Sequence, residues 1–300
     1  MNFPHIAYGT PRKLPKAKRL EGRVVVLDVA FASEAGGVSF DKVTRKFIDG
    51  LGDRLAMWVD HHDHALHPEY DADPRFVLAT KAQHGACPEM ITPALVERAG
   101  PIDTICCHID FDGLCSAAKW IRGGEEPYPG ADADARAIDT RIGTPSDVAA
   151  TIDRALRARH RDDGLKGIII RFLVTGADDR GLYAEIEKAA EGLKRMEAES
   201  RRLAGEYRFV GDVAVVDARD RKGPYDKTLL LLIGQERAPI SVVYDESAVT
   251  AAAQFDSGID LLAILGLSGG MPTRVSVSPK ELEATLEALQ NRAKSEPTGS

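Results

Sequence analysis

One feature of the sequence limits the possible fold and function of this chain most: an apolar run that ends at a block of residues able to bind metal. Residues 55–59 are strand-like and apolar, and Asp60-His61-His62-Asp63-His64 follows them directly. Five consecutive polar side chains make a poor hydrophobic core, whereas carboxylates and imidazoles at the end of a strand can converge on a divalent cation. The alternative interpretation is a solvated loop, because adjacent histidines also occur there.

A second polar segment follows another apolar run. Residues 105–107 lead into His108-Ile109-Asp110-Phe111-Asp112-Gly113. Side chains of an extended chain repeat every two residues, so His108, Asp110 and Asp112 are predicted on one side of a strand. A plain Asp-x-Asp-Gly turn is the alternative. Six of the eight histidines lie in or between these two segments, which favours one site over scattered positions.

Two further aspartates are candidates for the same site. Residues 23–28 form a β-branched run that closes on Asp28, and continuous apolar runs are typical of buried parallel strands. Ligands bind at the carboxyl ends of strands in open parallel sheets, so Asp28 is predicted beside the two polar segments. Asp139 is the other candidate, although it could equally be a helix N-cap or a turn residue.

The first part of the chain alternates between strand-like and helix-like segments. Strands are predicted at residues 24–28, 55–60, 105–110 and 168–173. Helices are predicted at residues 42–50, 87–99, 116–122 and 146–159, with a loop at 123–135. This alternation predicts an α/β fold with a doubly wound, mainly parallel sheet.

A smaller α/β domain is predicted at the C-terminal end, joined by a long helix. Residues 183–205 are rich in Ala, Glu, Lys and Leu and contain no proline, which predicts one continuous helix. Short strands are predicted after it at residues 213–216, 228–233, 240–244, 249–255 and 275–277, before a closing helix from Pro279 to about Ala293. The expected domains are residues 1–182 and 207–300, with residues 183–206 as the linker helix.

Composition is that of a soluble globular protein. Hydrophobic residues make up 44% and charged residues 28% of the chain. No segment has the apolar length of a membrane span or the features of a signal peptide, so we expect a cytoplasmic protein that does not bind membranes. The four cysteines are expected to be buried thiols. A homodimer is left open.

The charge of the chain gives opposing indications on whether it binds nucleic acid. The net charge is −7, so the average field of the protein does not attract polyanions. Basic residues nevertheless cluster near the start of the chain, at Arg12, Lys13, Lys16, Lys18 and Arg19. A solvated surface is the alternative interpretation of this cluster.

These elements together resemble the DHH phosphoesterases, of the nano-RNase, oligoribonuclease or RecJ-like type. That family carries a His-x-Asp-x-Asp motif, an aspartate that ends a second strand, an Asp-His-His triplet and a later Asp-Thr. This chain matches them with His108/Asp110/Asp112, Asp28, Asp60-His61-His62 and Asp139-Thr140. The His-x-Asp-x-Asp motif usually comes first but here comes third, which indicates a rearranged domain, for example by circular permutation. Parallel strands present their carboxyl ends at one edge in any order, so the same cluster can form.

The resemblance implies a two-metal site. Mn²⁺ is the implied metal, with Mg²⁺ or Co²⁺ as alternatives. One ion would be held by His108, Asp110 and Asp28, and the other by Asp112, Asp28, His61 and Asp139. Asp60 would orient its neighbours by hydrogen bonding, and His62 would lie near the scissile phosphate as a hydrogen-bond donor or proton-transfer group.

The resemblance also implies a substrate-binding loop in the C-terminal domain. Gly269 and Gly270 would let backbone amides approach a phosphate closely, and Arg274 could add a forked donor. A plain hairpin turn is the alternative. The family often carries a histidine just after these glycines, where this chain has Met271-Pro272.

Three functions are compatible with these residues. The first is a manganese-dependent phosphodiesterase that hydrolyses short oligonucleotides or small nucleotides by a two-metal mechanism. The second is a pyrophosphate or polyphosphate hydrolase. The third is a catalytically silent nucleotide-binding sensor, against which the intact ligand set argues. Only 6% of residues are aromatic, so processive binding of long strands is not expected.

Overall fold

Two compact units make up the chain. The computed structural model describes residues 3–33, 37–268 and 270–295, with side chains described to residue 292. The first unit comprises the described residues up to Ala32 together with Val38–Gly192, and the second begins at Leu193 and includes Ser33 and Gly37. Each unit contains a five-stranded sheet with helices, so the predicted fold class is confirmed.

The sheet of the first unit is entirely parallel. Its strands are β1 (His5–Tyr8), β2 (Val24–Leu27), β3 (Leu55–Asp60), β4 (Phe76–Leu78) and β5 (Thr104–Cys107), arranged in the order β1-β5-β2-β3-β4. Strand β5 is inserted between β1 and β2 and pairs in parallel with both. Because every strand runs the same way, all the carboxyl ends meet at one edge.

Apolar cores cover both faces of this sheet, which explains why its strands are continuous apolar runs. Val25 and Ile105 belong to one core, and Val24, Val26 and Trp58 belong to the other. The helices are α1 (Lys46–Leu51), α2 (Pro93–Ala99), α3 (Phe111–Ile121), α4 (Ala131–Thr140), α5 (Asp147–Ala158), α6 (Asp163–Val174) and α7 (Arg180–Ala190). A π-helical turn, Asp41–Arg45, leads directly into α1.

One predicted strand is a helix. Residues 168–173 lie inside α6, not in the sheet. The side chain of Asp162 caps this helix by accepting a hydrogen bond from the N–H of Leu165 at 3.0 Å. Leu165, Ile169 and Phe172 are buried at helical spacing. A short apolar run has no clear periodicity of its own, so the cap decides the conformation here.

The predicted linker helix is two helices. Helix α7 ends at Ala190, and α8 (Leu193–Ala204) begins after a turn at Glu191 and Gly192. Glycine disfavours the helix interior because it loses more backbone freedom than other residues. The prediction of one continuous helix over residues 183–205 was therefore wrong, and the break coincides with the boundary between the two units.

The second unit has a mixed sheet. Its strands are β6 (Arg208–Val210), β7 (Val213–Asp217), β8 (Ile240–Tyr244), β9 (Val249–Ala253) and β10 (Arg274–Val277), in the order β10-β9-β8-β7-β6. Strands β7 and β8 pair in parallel, and the other neighbours are antiparallel. The helices are α8, α9 (Lys227–Gln235), α10 (Leu261–Leu265) and α11 (Leu282–Ser295).

Another predicted strand, residues 228–233, lies in α9. The side chain of Asp226 accepts a hydrogen bond from the N–H of Leu229 at 3.2 Å and so starts the helix. This is the same physical reason as at α6, a capping aspartate in front of a short apolar run. None of the described helices is both long and apolar enough to cross a membrane.

Candidate metal centre

Asp28 follows β2 directly and has an unusual backbone. Its φ is 57°, in the left-handed region, which aspartate and asparagine tolerate better than most residues. Its N–H donates to the carbonyl oxygen of Val59 at 2.9 Å, which holds the end of β2 against β3. The side chain is 1% exposed. The strand end thus fixes a buried carboxylate at the carboxyl edge of the sheet.

The Asp-His-His triplet begins at the last residue of β3. The ring of His61 is fully buried, and its Nδ1 lies 2.8 Å from the carbonyl oxygen of His84. A carbonyl can only accept, so Nδ1 carries the proton and Nε2 is left as the basic atom. That atom lies 3.3 Å from Asp28 Oδ1 and 3.2 Å from Asp112 Oδ2.

His62 is held by Asp60. Its Nδ1 donates to Asp60 Oδ1 at 2.7 Å, and Asp60 is fully buried. Burial lowers the pKa of His62 below its usual value, although Asp60 opposes this effect. His62 is therefore a neutral imidazole near neutral pH, and Nε2 is the ring nitrogen that remains for a substrate.

The His-x-Asp-x-Asp segment is not an extended strand. Strand β5 ends at Cys107, Asp110 caps α3 by accepting from the N–H of Gly113 at 3.1 Å, and Asp112 lies in the first turn of that helix. The prediction that strand alternation brings His108, Asp110 and Asp112 to one side was therefore wrong. A strand–turn–helix connection brings them to the edge instead, because the capping aspartate starts the helix one residue later.

Gly113 makes this connection possible. A Cβ at this position would lie 2.6 Å from the carbonyl oxygen of His108, which is closer than real side chains approach. The backbone of α3 therefore touches the backbone that leads into it. Asp112, one residue earlier, accepts hydrogen bonds from the N–H of Cys87 at 3.0 and 3.1 Å through its two oxygens.

Asp139 lies in the last turn of α4, so it neither ends a strand nor caps a helix at its start. Its Oδ2 is 3.9 Å from His61 Nε2. The same carboxylate forms a buried ion pair with Lys81, whose side chain is 3% exposed. Lys81 was not among the candidates, because a lone lysine between a threonine and an alanine carries no motif.

The ligand atoms converge in three overlapping groups. Within each group they lie within 4.8 Å of one another, the groups being Asp28/His61/His62, Asp28/His108/Asp110 and His61/Asp112/Asp139. Asp28 and His61 each belong to two groups. All six predicted metal ligands are thus in one cluster, and their individual roles stay predictions.

Unsatisfied polar atoms test whether a cation fits this cluster. Among the described residues, both carboxylate oxygens of Asp28 and Nε2 of His61 are buried and form no well-aligned hydrogen bond. Nδ1 of His108 lies 2.8 Å from Asp110 Oδ2. Buried groups without well-aligned hydrogen bonds are costly unless something else satisfies them. Two ligand atoms about 2.1 Å from one ion, at right angles, lie about 3 Å apart. The separations of 3.2 and 3.3 Å around His61 Nε2 match that spacing.

The pKa shifts of the clustered side chains also favour a bound cation. Burial raises the pKa of Asp28 well above its usual value, and Asp112 and Asp110 raise it further. Burial and Lys81 oppose the charging of His61, yet its contacts with Asp112 and Asp28 raise its pKa to about 11. Crowding of the carboxylates therefore opposes the ionisation of Asp28, and a divalent ion bound beside it would relieve this effect.

The predicted substrate-binding residues belong to the second unit. Gly270 has φ 125°, a backbone conformation that glycine adopts without strain. Arg274 is the first residue of β10 and forms an isolated bridge with Met271. Gly269 lies outside the described residues. The binding role of all three stays a prediction.

Comparisons with solved structures find proteins to which this chain is similar. The chain is similar to PggH, a pGpG-specific phosphodiesterase from Vibrio cholerae, with 11% identity, a TM-score of 0.44, and coverage of 92% of this chain and 100% of that one. It is similar to exonuclease RecJ bound to manganese, with 13% identity, a TM-score of 0.46, and coverage of 91% and 76%.

A third similar structure is RecJ in complex with Mn²⁺ from Thermus thermophilus, with 14% identity, a TM-score of 0.44, and coverage of 84% of this chain and 43% of that one. PggH and RecJ both belong to the DHH superfamily, which the motifs of this chain resemble. No family model and no curated protein sequence matches the chain.

Proposed function

We propose that the first unit is a metal-dependent phosphodiesterase acting on short oligonucleotides or small nucleotides. One observation carries the proposal: carboxylate and imidazole atoms that are buried and unsatisfied converge around Asp28 and His61. A purely structural cluster would satisfy these atoms with well-aligned hydrogen bonds. Buried ligand atoms that crowd together without such bonds are suited to bind a cation from solution.

Two divalent ions are proposed, with Mn²⁺ as the metal that best suits mixed imidazole and carboxylate ligands. Their residues would be His108, Asp110 and Asp28 for one, and Asp112, His61 and Asp139 with Asp28 for the other. When bound, the ions would neutralise charge on the phosphoryl group and favour ionisation of an attacking water.

Surrounding residues would orient these ligands. The carbonyl of His84 fixes the tautomer of His61, and the backbone N–H of Cys87 holds Asp112. Lys81 holds Asp139 through the buried ion pair and adds positive charge beside the cluster. Groups that hold metal ligands in this way typically change metal affinity or activity by about 10–100-fold when removed.

His62 is the proposed proton-transfer group. Its Nδ1 donates to Asp60, which fixes the ring, and burial keeps the imidazole neutral. Nε2 of a neutral imidazole in this tautomer accepts a proton, and the same nitrogen can return that proton to a leaving oxygen. This assignment makes Asp60 a positioning residue and His62 the catalytic residue.

The alternatives differ in substrate and in turnover. A pyrophosphate or polyphosphate hydrolase would use the same cluster on phosphoanhydride bonds. A silent nucleotide sensor would bind nucleotides without cleaving them. The unsatisfied and crowded carboxylates argue against the sensor, because such an arrangement is costly to keep for binding alone.

A substrate screen with defined metal content tests the proposal. The full chain is incubated with Mn²⁺ and, separately, pGpG, five-nucleotide RNA and DNA, cyclic dinucleotides, a nucleoside bisphosphate, pyrophosphate and polyphosphate. We expect cleavage of the short oligonucleotides, its loss with a chelator, and its loss in Asp28→Asn. Calorimetric titration of the chelator-treated chain should give two Mn²⁺ ions per chain. Cleavage of pyrophosphate or polyphosphate alone would replace the proposal with the second candidate, and binding without cleavage with the third.

A further inference from the structure

A second charged feature lies in the first unit and takes no part in the metal cluster. Residues 12–18 and residues 42–50 form two walls of a cavity of about 590 Å³. Six of its twelve lining residues are basic and none is acidic, the basic ones being Arg12, Lys13, Lys16, Lys18, Lys42 and Lys46. We call this cavity the basic pocket. Its charge contrasts with the net charge of −7 of the whole chain.

The charges of the basic pocket are available to a ligand. Lys13, Lys16, Lys18, Lys42 and Lys46 are exposed, and among the described residues they form no ion pair. Two acidic residues, Asp41 and Asp49, are next to lining residues in the sequence, and neither belongs to the lining. Asp41 is paired with Arg45 at 2.7 Å. Cations gathered in a concave surface without counter-charges raise the local concentration of anions.

The two walls are fixed against each other. A Cβ on Gly50 would lie 2.9 Å from the Cβ of Ala17, so the walls touch where this glycine lies. Arg54 donates to the carbonyl oxygens of Ala17 at 2.9 Å and Leu20 at 2.8 Å, which ties the first wall to the segment after α1. The basic pocket is thus formed before any ligand binds, which lowers the entropic cost of binding.

Both walls also begin near the carboxyl edge of the sheet. The first wall follows Gly9, whose N–H donates to the carbonyl oxygen of Cys107 at 2.9 Å, one residue before His108. The second wall is tied to the chain after Asp28 by a hydrogen bond of 2.8 Å from the N–H of Ala32 to Thr44 Oγ1. These hydrogen bonds connect both walls of the basic pocket to the edge of the sheet that carries the metal cluster.

We propose that the basic pocket binds the phosphate backbone of a single-stranded oligonucleotide, over two or more phosphates and independently of base sequence. Between its cations the pocket is lined by Leu14, Pro15, Val43 and Phe47. Alternating cations and apolar groups match a ligand with regularly spaced phosphates and flat apolar bases. Lysine side chains contact phosphates without reading base identity.

Other polyanions match the pocket less well. Inorganic polyphosphate has the charge but no apolar part for the lining between the cations. An anionic membrane presents a flat surface, whereas the pocket is concave. Its volume lies within the range of about 300–1,000 Å³ that is typical of sites for small organic ligands. This inference concerns binding alone and stands whether or not the metal cluster hydrolyses anything.

The test measures binding of a fluorescein-labelled ten-nucleotide oligo(dT) to the full chain by anisotropy. EDTA is present so that no ion at the cluster can hold the phosphates. The pocket variant replaces Lys16, Lys18, Lys42 and Lys46 with glutamine. A matched control replaces four other exposed basic residues of the same unit, Arg98, Arg180, Lys188 and Arg159, with glutamine. Thermal unfolding of both variants checks that the fold is kept.

We expect the pocket variant to bind oligo(dT) at least about tenfold more weakly at 50 mM salt, and the control to bind within about twofold of the original chain. The slope of log affinity against log salt should fall by about 0.7 for each lysine that contacts a phosphate. Oligo(dA) should give the same result. Equal losses in both variants, or unchanged binding in the pocket variant, would overturn the proposal.

Two further measurements identify which polyanion binds the pocket and distinguish this binding from hydrolysis at the metal cluster. Polyphosphate that displaces oligo(dT) and binds more tightly than it, phosphate for phosphate, would assign the pocket to polyphosphate and overturn the oligonucleotide proposal. Hydrolysis of bis(p-nitrophenyl) phosphate, which carries a single phosphate and no oligonucleotide backbone, should be unchanged in the pocket variant with Mn²⁺. A chain that hydrolyses nothing but still binds oligo(dT) through these lysines refutes the proposed function and leaves this inference standing.

Discussion

The two sheets of this protein both carry acidic residues at the carboxyl ends of parallel strands, and only one of these edges has the properties of a site. In the first unit, Asp28 follows β2 and Asp60 ends β3. In the second unit, Asp217 ends β7 and Asp245 follows β8. The positions are equivalent in their relation to the strands. The surroundings of the carboxylates differ completely.

At the second edge the carboxylates are satisfied. Asp217 accepts from Arg219 Nη2 and from Tyr244 Oη, each at 2.7 Å. Asp245 accepts from Tyr225 Oη at 2.5 Å and forms an ion pair with Lys227 at 2.9 Å. At the first edge both oxygens of Asp28 are buried and form no hydrogen bond with the described residues. Acidic strand ends therefore do not define a site, whereas buried acidic atoms without hydrogen bonds indicate one.

The largest difference between the two edges is expected when one aspartate at each edge is replaced by asparagine. Asp28→Asn keeps a residue that tolerates the left-handed backbone but removes the shared charge. We expect hydrolysis to fall by more than about 100-fold, since this exceeds what outer groups contribute. The free energy of unfolding should stay the same or rise, because like-charge repulsion with Asp112 and Asp110 is relieved.

Asp217→Asn is the matched change at the second edge. It should leave hydrolysis unchanged and lower the free energy of unfolding by no more than about 1 kcal/mol, since the Asp217–Arg219 pair is partly exposed. The rate of hydrolysis with Mn²⁺ measures the first effect, and urea unfolding curves measure the second. If Asp217→Asn reduced hydrolysis as much as Asp28→Asn, the contrast between the edges would be wrong.

A substitution at Lys81 tests whether the carboxylates of the first edge need positive charge that a metal ion can supply. Lys81→Met removes the close partner of the largely buried Asp139, which should cost about 1–3 kcal/mol in chelator. Mn²⁺ should restore most of this loss, because a bound cation replaces the lost partner. Lys166→Met is the control, since this buried lysine pairs at 2.7 Å with the exposed Asp163 in a part of the unit without ligand residues.

Urea unfolding of the two lysine variants, with and without Mn²⁺, gives the answer. Only the loss in Lys81→Met should depend on the metal. A loss of equal size in both conditions would mean that Asp139 does not bind metal, and its role would then be structural.

Gly113→Ala tests the geometry that creates the first edge. Its Cβ would overlap the carbonyl oxygen of His108, so the turn between β5 and α3 must open. We expect a loss of about 1–3 kcal/mol in unfolding free energy and a marked fall in hydrolysis, since His108 and Asp110 move apart. Gly167→Ala in α6 has open space and should be neutral or stabilising by up to about 1 kcal/mol. Full hydrolysis in Gly113→Ala would show that the tight turn is not needed.

The smallest effect is expected in the second unit, and it asks whether that unit has any part in the chemistry. Arg274→Ala should raise KM for oligonucleotides about tenfold and change kcat little, because the guanidinium would bind ground state and transition state equally. Arg208→Ala, on the exposed strand β6, should change neither. An unchanged KM in Arg274→Ala would leave the second unit without a substrate-binding role for this residue.

The sequence predicts the residues at the carboxyl edge of the first sheet better than it predicts the helices and strands of the chain. Asp28, His61 and His108 were found because parallel strands end together, and that rule does not depend on chain order. The same local signals failed for residues 168–173 and 228–233. Both are short apolar runs, and whether they form strand or helix depends on a capping aspartate four or more residues before their centre.

Other parts of the site carry no sequence signal at all. Lys81 pairs with Asp139 from 58 positions away in the chain, and the backbone N–H of Cys87 holds Asp112 from 25 positions away. A single lysine and a backbone amide look the same in any sequence. Only the folded chain shows that they meet, because tertiary contacts decide which of many similar residues becomes buried.

The inserted position of β5 has a consequence for how this protein is made. In the described sheet, β1 pairs with no strand other than β5, although nearly a hundred residues separate them. During synthesis, β1 and one side of β2 must wait without a neighbour until Cys107 has left the ribosome. Such long-range pairing is slow and leaves strand edges open in the meantime. A nascent chain shorter than this should therefore be a target for chaperones. The last strand of the sheet to arrive brings His108 with it, so the sheet closes before α4 adds Asp139 and completes the cluster.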